Sequence, residues 1–220
     1  MDAPTLHIDP RSAVLLLVDL QPDFMPGGAL PVTEGDQVLA PVRALLDRSL
    51  FSLVVATQDW HPPDHISFAS QHRNRRPFDS IQLYGKPQVL WPDHCVQDTP
   101  GAELHHGLPQ ASFAAVIRKG SDRLVDSYST FRNNWNAEGR RPPTGLAGFL
   151  RERSVGDVVL AGLARDFCVL WSALDAVDAG FRTTVLWDLT RPVDPRSDDD
   201  VSAALAERGV RVTTASRLQR

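Results

Sequence analysis

Short apolar runs alternate with segments of helical periodicity along most of this chain, and that alternation narrows the fold more than any other feature. Six runs read as strands: Ala13 to Val18, Leu53 to Thr57, Ala114 to Ile117, Val158 to Ala161, Thr183 to Trp187 and Val210 to Thr213. Between them, Asp36 to Ser49, Thr144 to Arg153, Asp166 to Ala179 and Ser197 to Glu207 read as helices. In the first helix Val38, Leu39, Val42, Leu45 and Leu46 recur at helical spacing. In the third, Val169, Leu170, Ala173, Leu174 and Val177 share one face. Gly180 and Gly209 then stand where C-terminal stops belong. Strands and helices in this order build βαβ units. The predicted fold is α/β: an open, doubly wound, six-stranded parallel sheet with helices on both faces. A length of 220 residues suits a single domain over 1–220. There is no internal repeat and no low-complexity tract.

Residues 60 to 110 break the alternation. Many of the 17 prolines fall between Pro62 and Pro109, and little periodicity remains. A loop this long in a compact domain is functional or disordered. Trp91 and most of the histidines lie in it, so the expectation is an ordered loop that carries a site. Composition excludes several other roles. With 42% apolar and 23% charged residues the chain is of globular type. A net charge of −4 without a basic tail argues against a nucleic-acid partner. The longest apolar run, Ala13 to Val18, falls far short of the roughly 20 residues that span a bilayer, so no membrane association is expected. The start Met1-Asp2-Ala3-Pro4 has no signal-peptide character, and a cytoplasmic location is expected. Two cysteines, Cys95 and Cys168, exclude a disulfide scaffold.

Ligands of open parallel sheets bind beyond the carboxyl ends of the strands. Asp19 ends the first strand, Asp59 and His61 follow the second, Lys119 closes the third and Cys168 comes soon after the fourth. Such a sheet would gather these residues on one rim. Cys168, near a helix start, is placed where free N–H groups favour a thiolate; burial as a small core residue is the plainer alternative. Asp19 can act as a general base toward the thiol, and the Lys119 ammonium offsets its charge and favours the ionised sulfur. Alternate residues of an extended segment face the same way, so Asp59 and His61 could meet one metal ion, with His94 or His65 as a third ligand. Such a set suits zinc, iron or manganese. Asp-x-His by itself reads first as a polar surface loop. Cys95, next to His94, reads as a packing residue.

Taken together the motifs resemble the nicotinamidases (pyrazinamidases) of the isochorismatase-like cysteine hydrolases, over roughly Ala13 to Val193. The similar segments are Asp19-Leu20-Gln21-Pro22-Asp23-Phe24, Thr57-Gln58-Asp59-Trp60-His61-Pro62 with His65-Ile66-Ser67-Phe68, and Trp91-Pro92-Asp93-His94-Cys95-Val96-Gln97. Arg118-Lys119-Gly120, Asp126-Ser127-Tyr128-Ser129-Thr130-Phe131 and Gly162-Leu163-Ala164-Arg165-Asp166-Phe167-Cys168-Val169 complete the set. The resemblance implies a catalytic triad of Asp19, Lys119 and Cys168, and one divalent metal, zinc foremost, on Asp59, His61 and His94. His65 would stand beside the metal. Phe24 and Trp91 would form aromatic walls, Tyr128 would border the pocket, and the amides of Ala164 and Cys168 would form an oxyanion hole after a cis peptide.

The activity so implied is hydrolysis of nicotinamide, and of pyrazinamide, through a thioester on Cys168, in NAD salvage. The alternative within the same superfamily is an amidase for a carbamoyl or other small amide. An iron site for oxygen chemistry leaves Asp19, Lys119 and Cys168 without a role. A binding module descended from an enzyme leaves the complete set unexplained. Self-association into a homo-oligomer is compatible with the sequence. Arg165 departs from the family, where a smaller residue is usual, and is expected to point to solvent. The basic run His72-Arg73-Asn74-Arg75-Arg76 reads as a solvated loop.

Overall fold

A computed structural model of the chain describes residues 5–220. Six parallel strands form one sheet: β1 (Ala13–Val18), β2 (Leu53–Asp59), β3 (Ala115–Lys119), β4 (Asp157–Leu163), β5 (Arg182–Arg191) and β6 (Arg211–Thr213). Their spatial order is β3-β2-β1-β4-β5-β6. From β1 the chain winds outward one way through β2 and β3, and from β4 the other way through β5 and β6. The strand order therefore reverses between β1 and β4, and a crevice opens at their carboxyl ends.

The sheet is buried on both faces, as its unbroken apolar strands require. Leu15, Leu17, Val54, Ala56 and Val159 pack with Val42 and Leu45 of α1 (Leu39–Asp47) on one face. Val14, Leu16, Val55, Val158, Leu160 and Val185 pack on the other. That second face is covered by Leu146 and Leu150 of α2 (Leu146–Arg151), Ala173 and Ala176 of α3 (Leu170–Asp178), and Val201 and Leu205 of α4 (Asp198–Glu207). Every residue of β1 is buried, and each fully buried leucine contributes about 1.5–3 kcal/mol. The two carboxyl ends that flank the crevice thus stand on the most firmly packed strands.

The strands are those expected, with shifted ends. β2 runs on to Asp59 and β5 to Arg191. β5 is extended by a register shift against β4, where Gly162 pairs with Thr190. The helices are shorter than their periodicity suggests. Residues 35–38 form a 3-10 turn ahead of α1. Gly145, at φ 97, begins α2 later than Thr144. The helix expected from Asp166 opens instead as a π-helical turn, Arg165–Val169.

The 60–110 region is ordered and irregular, as expected, but it holds one regular piece. Ser80–Leu83 and Lys86–Val89 pair as an antiparallel hairpin. Tyr84 and Gly85 turn it, both at positive φ, as a two-residue hairpin loop demands. A further two-residue parallel pairing joins Leu6–His7 to Leu218–Gln219.

Candidate active site

The register of β2 on β3 sets Asp59 directly beside Lys119, so their side chains meet at the sheet's end. The Lys119 ammonium is fully buried. It donates a short hydrogen bond to Asp59 Oδ1 and another to the Ser127 carbonyl at 3.0 Å. It also lies 2.9 Å from Asp19 Oδ2 and 3.4 Å from Cys168 Sγ. Three strand ends and the turn after β4 thus converge on one nitrogen.

Asp19 sits just past β1 at φ 47, a conformation that Asp tolerates better than most residues. The Thr57 hydroxyl donates to Asp19 Oδ1 at 2.6 Å and accepts from the Asp19 amide at 3.1 Å. Asp19 Oδ2 is buried, with the Lys119 ammonium 2.9 Å away.

Burial raises the Asp19 carboxyl above its ordinary value, although Lys119 pulls the other way. Burial also pushes the Cys168 thiol well above its normal range; Asp19 and Asp59 add to that, and Lys119 opposes it without prevailing. Desolvation and the two carboxylates thus oppose the ionised sulfur that the Lys119 ammonium favours. Burial disfavours the Lys119 ammonium, but Asp19 and Asp59 hold it well above the ordinary lysine value.

Asp59 faces two groups. Its Oδ1 is held by Lys119, while Oδ2 lies 3.7 Å from His61 Nε2 and 3.9 Å from His94 Nε2. His61 Nδ1 is 3.0 Å from the Gly120 carbonyl, and His94 Nδ1 is 2.8 Å from the Pro92 carbonyl. A backbone carbonyl on one ring nitrogen leaves the other as a lone-pair donor, the arrangement of a metal-ligating histidine. Ligand atoms of Asp59, His61 and His94 all lie within 4.8 Å of one another. The donor set, its tautomers and its spacing fit one divalent ion.

Burial, then His61, lower His94 to about 4, so its imidazole is neutral as ligation requires. Burial works against a charged His61, but Asp59 outweighs it and raises that ring above its ordinary value. Burial lifts the Asp59 carboxyl, yet Lys119, His61 and His94 hold it well below the usual carboxylate range. His65 has both nitrogens engaged, Nδ1 with the Ser67 hydroxyl at 2.7 Å and Nε2 with the Val125 carbonyl at 3.2 Å. It stacks near His61, with ring centroids 4.2 Å apart.

A pocket opens over these groups. Phe24, Trp91 and Tyr128 line it, as do Asp59, His61, His94, Ala164 and Cys168. The sequence reading had not singled out Leu30, Asp126, Phe167 and Val193, which also line it. Phe167 meets Trp91 edge-on at 4.8 Å and Tyr128 at 5.4 Å. Its place one residue before Cys168 was the available signal. Gln88, on the hairpin, donates to Asp126 Oδ2 at 2.6 Å and to the Tyr128 hydroxyl at 3.1 Å. Two glycines are required here. A Cβ on Gly162 would lie 2.1 Å from the Val18 carbonyl, and one on Gly120 would lie 2.4 Å from His61 Cε1.

The Leu163–Ala164 peptide is cis. Ala164 and Cys168 bracket the π-helical turn, whose first amides have no acceptor within the helix. Cys168 lies 6% exposed at the pocket. Arg165 does not point to solvent. It is 5% exposed and pairs with Asp198, because β5 and α4 close over it. Cys95 is buried and its thiol is raised by burial; its amide donates to Asp23 Oδ2 at 2.6 Å.

The isochorismatase domain model matches residues 13–217. The nicotinamidase of Escherichia coli is 47% identical over 191 residues, covering 86% of this chain and 87% of that protein. The solved Acinetobacter baumanii nicotinamidase/pyrazinamidase superposes with a TM-score of 0.88 at 40% identity, covering 94% of this chain and 98% of that one. A pyrazinamidase of Pyrococcus horikoshii in complex with zinc superposes with a TM-score of 0.73 at 35% identity, covering 92% and 99%.

Proposed function

The chain belongs to the isochorismatase domain family, and from that premise we propose that it hydrolyses nicotinamide to nicotinate and ammonia, and pyrazinamide in the same way, as a step of NAD salvage. The observation that carries the chemistry is the meeting of Lys119 Nζ and Asp19 with Cys168 Sγ, whose residue lines an aromatic-walled pocket. Asp59, His61 and His94 would hold one divalent ion, zinc before iron or manganese. When bound, it supplies a Lewis-acid anchor for a pyridine-type nitrogen.

Phe24 and Trp91 favour a flat aromatic ring and present its carboxamide to Cys168. Asp19 Oδ2 accepts the thiol proton as Sγ attacks the carboxamide carbon. Its raised pKa makes it a better base for that transfer. The tetrahedral oxyanion takes hydrogen bonds from the Ala164 and Cys168 amides, each worth about 3–4 kcal/mol in such a site. Protonated Asp19 returns its proton to the departing nitrogen, ammonia leaves and a thioester remains on Cys168. Asp19 then takes a proton from water, whose oxygen attacks the thioester. The carboxylate product leaves and the thiol is restored. Lys119 keeps its proton throughout and balances Asp19 and Asp59.

Two free thiols, one of them the nucleophile, suit a reducing compartment, which favours the cytoplasm. Among the described residues no helix is long and apolar enough to cross a membrane. The test is ammonia release from nicotinamide and pyrazinamide, with and without a chelator. Turnover that the chelator suppresses is expected. Hydrolysis of carbamoyl amides with none of nicotinamide would overturn the substrate assignment.

A further inference from the structure

Arg165 is the second residue after the cis peptide and the third before Cys168, and every donor it has is used. Nε donates to Thr190 Oγ1 at 2.8 Å. Nη1 reaches both oxygens of Asp198 at 2.7 and 2.6 Å. Nη2 donates to the Trp187 and Thr190 carbonyls at 3.1 and 2.8 Å. The guanidinium carbon lies over the Trp187 ring, 3.9 Å from its centroid. Trp187 and Thr190 flank the stretch where β5 slips register against β4, and Asp198 opens α4. The five donors of one planar fork thus join the turn after β4 to two neighbouring elements.

The next residue grips the opposite side. Asp166 accepts from the Val193 and Asp194 amides at 2.9 Å each, and Val193 lines the pocket. Neither Arg165 nor Asp166 lies among the ion pairs of the Asp19–Lys119–Asp59 cluster.

We infer that Arg165 is a positioning residue for amide hydrolysis: its five-donor clamp on Thr190, Trp187 and Asp198 fixes the 164–168 turn, and with it the Cys168 sulfur and the two oxyanion-facing amides. The inference rests on the hydrolytic reading above. Phe24, Trp91 and the Asp59–His61–His94 cluster stand on other elements, while Ala164 and Phe167 of the turn add to the pocket wall. Loosening the turn therefore weakens the transition state more than it weakens substrate binding.

The experiment uses the whole chain in a graded series: Thr190→Val, Asp198→Asn, Arg165→Lys. Lysine keeps the charge but cannot fill the fork. Expected is a kcat that falls in that order, reaching about 100-fold for Arg165→Lys, with KM moving far less than kcat and bound metal unchanged. Thr190→Val and Asp198→Asn keep the test decisive should Arg165→Lys fold poorly. Hydrogen–deuterium exchange of the peptide spanning residues 163–170 gives a readout that needs no substrate. Faster exchange confined to that peptide supports the clamp. Wild-type kcat in folded Asp198→Asn and Arg165→Lys proteins would overturn it, as would a rise in KM at unchanged kcat. Should the wild type release no ammonia, the hydrolytic reading falls, and unchanged exchange in the variants would sink the clamp separately.

Discussion

Asp19, Lys119 and Cys168 stand at strand ends or in the turn that leaves a strand, whereas His61, His94, Trp91 and Tyr128 hang on irregular chain between β2 and α2. The first group inherits its geometry from the sheet. Val18 is paired with Gly162 and Asp59 with Lys119, so moving the backbone at these strand ends must break ladder bonds. The second group is fastened by isolated backbone bridges. His61 pairs with the Cys95–Gln97 strip through hydrogen bonds of 3.0 and 2.8 Å, and Trp91 with Ser67 and Ala69 at 2.8 Å each. The strand-end residues Asp19 and Lys119 thus rest on the sheet ladder, Cys168 on the turn that follows it, and the metal half on an irregular loop tied back by isolated bridges. Asp59 alone belongs to both: one oxygen holds Lys119, the other faces the two histidines.

Four substitutions would break or sharpen that contrast. Cys168→Ala removes the bond-forming atom and should lower turnover by about 10⁶-fold. Metal content and thermal unfolding should stay near wild type, and normal amide hydrolysis by this variant would end the thioester mechanism. Asp59→Asn strikes both halves at once. It should lose most of the metal and about 10²–10³-fold in kcat; a loss in only one of the two would show that the halves are uncoupled. His94→Ala should act on the loop half alone, releasing metal and raising KM at least tenfold by about 1.4 kcal/mol of lost binding. Alkylation of Cys168 by iodoacetamide should proceed as in the wild type, and a slowed reaction would mean the sheet half leans on the metal. The mildest is Gly120→Ala. Its Cβ would press on the His61 ring at a position of φ 67. A tenfold fall in metal affinity is expected, about the lower bound for disturbing a ligand's support, read by competition with a colorimetric chelator.

The contrast also explains which parts were legible. β1 matches the run Ala13–Val18 residue for residue, because a continuous apolar run flanked by polar residues has few other ways to be buried. The hairpin at Ser80–Val89 escaped notice. Pro87 lies inside its second strand and Tyr84-Gly85 is not a strong turn pair, so its pairing owes more to context than to local signal. The two-residue pairing of Leu6–His7 with Leu218–Gln219 has no local signal at all. In the site, Asp19, Lys119 and Cys168 were found as strand-end residues and through motifs. Thr57 and Ser127 were not, since a hydroxyl under a carboxylate and a carbonyl under an ammonium leave no pattern in the chain.

By itself, the sequence determined the α/β class, the six strands, the gathering of reactive groups on one rim and the chemical kinds in the site. Periodicity and motif spacing are local properties, and they encode local geometry. Tertiary structure decided the rest. It turned Arg165 inward onto Asp198, set one carboxylate between Lys119 and the two histidines, and buried Cys168 against Lys119. These outcomes depend on burial and on charges brought within a few ångströms by residues far apart in the chain, and no stretch of sequence carries that sum.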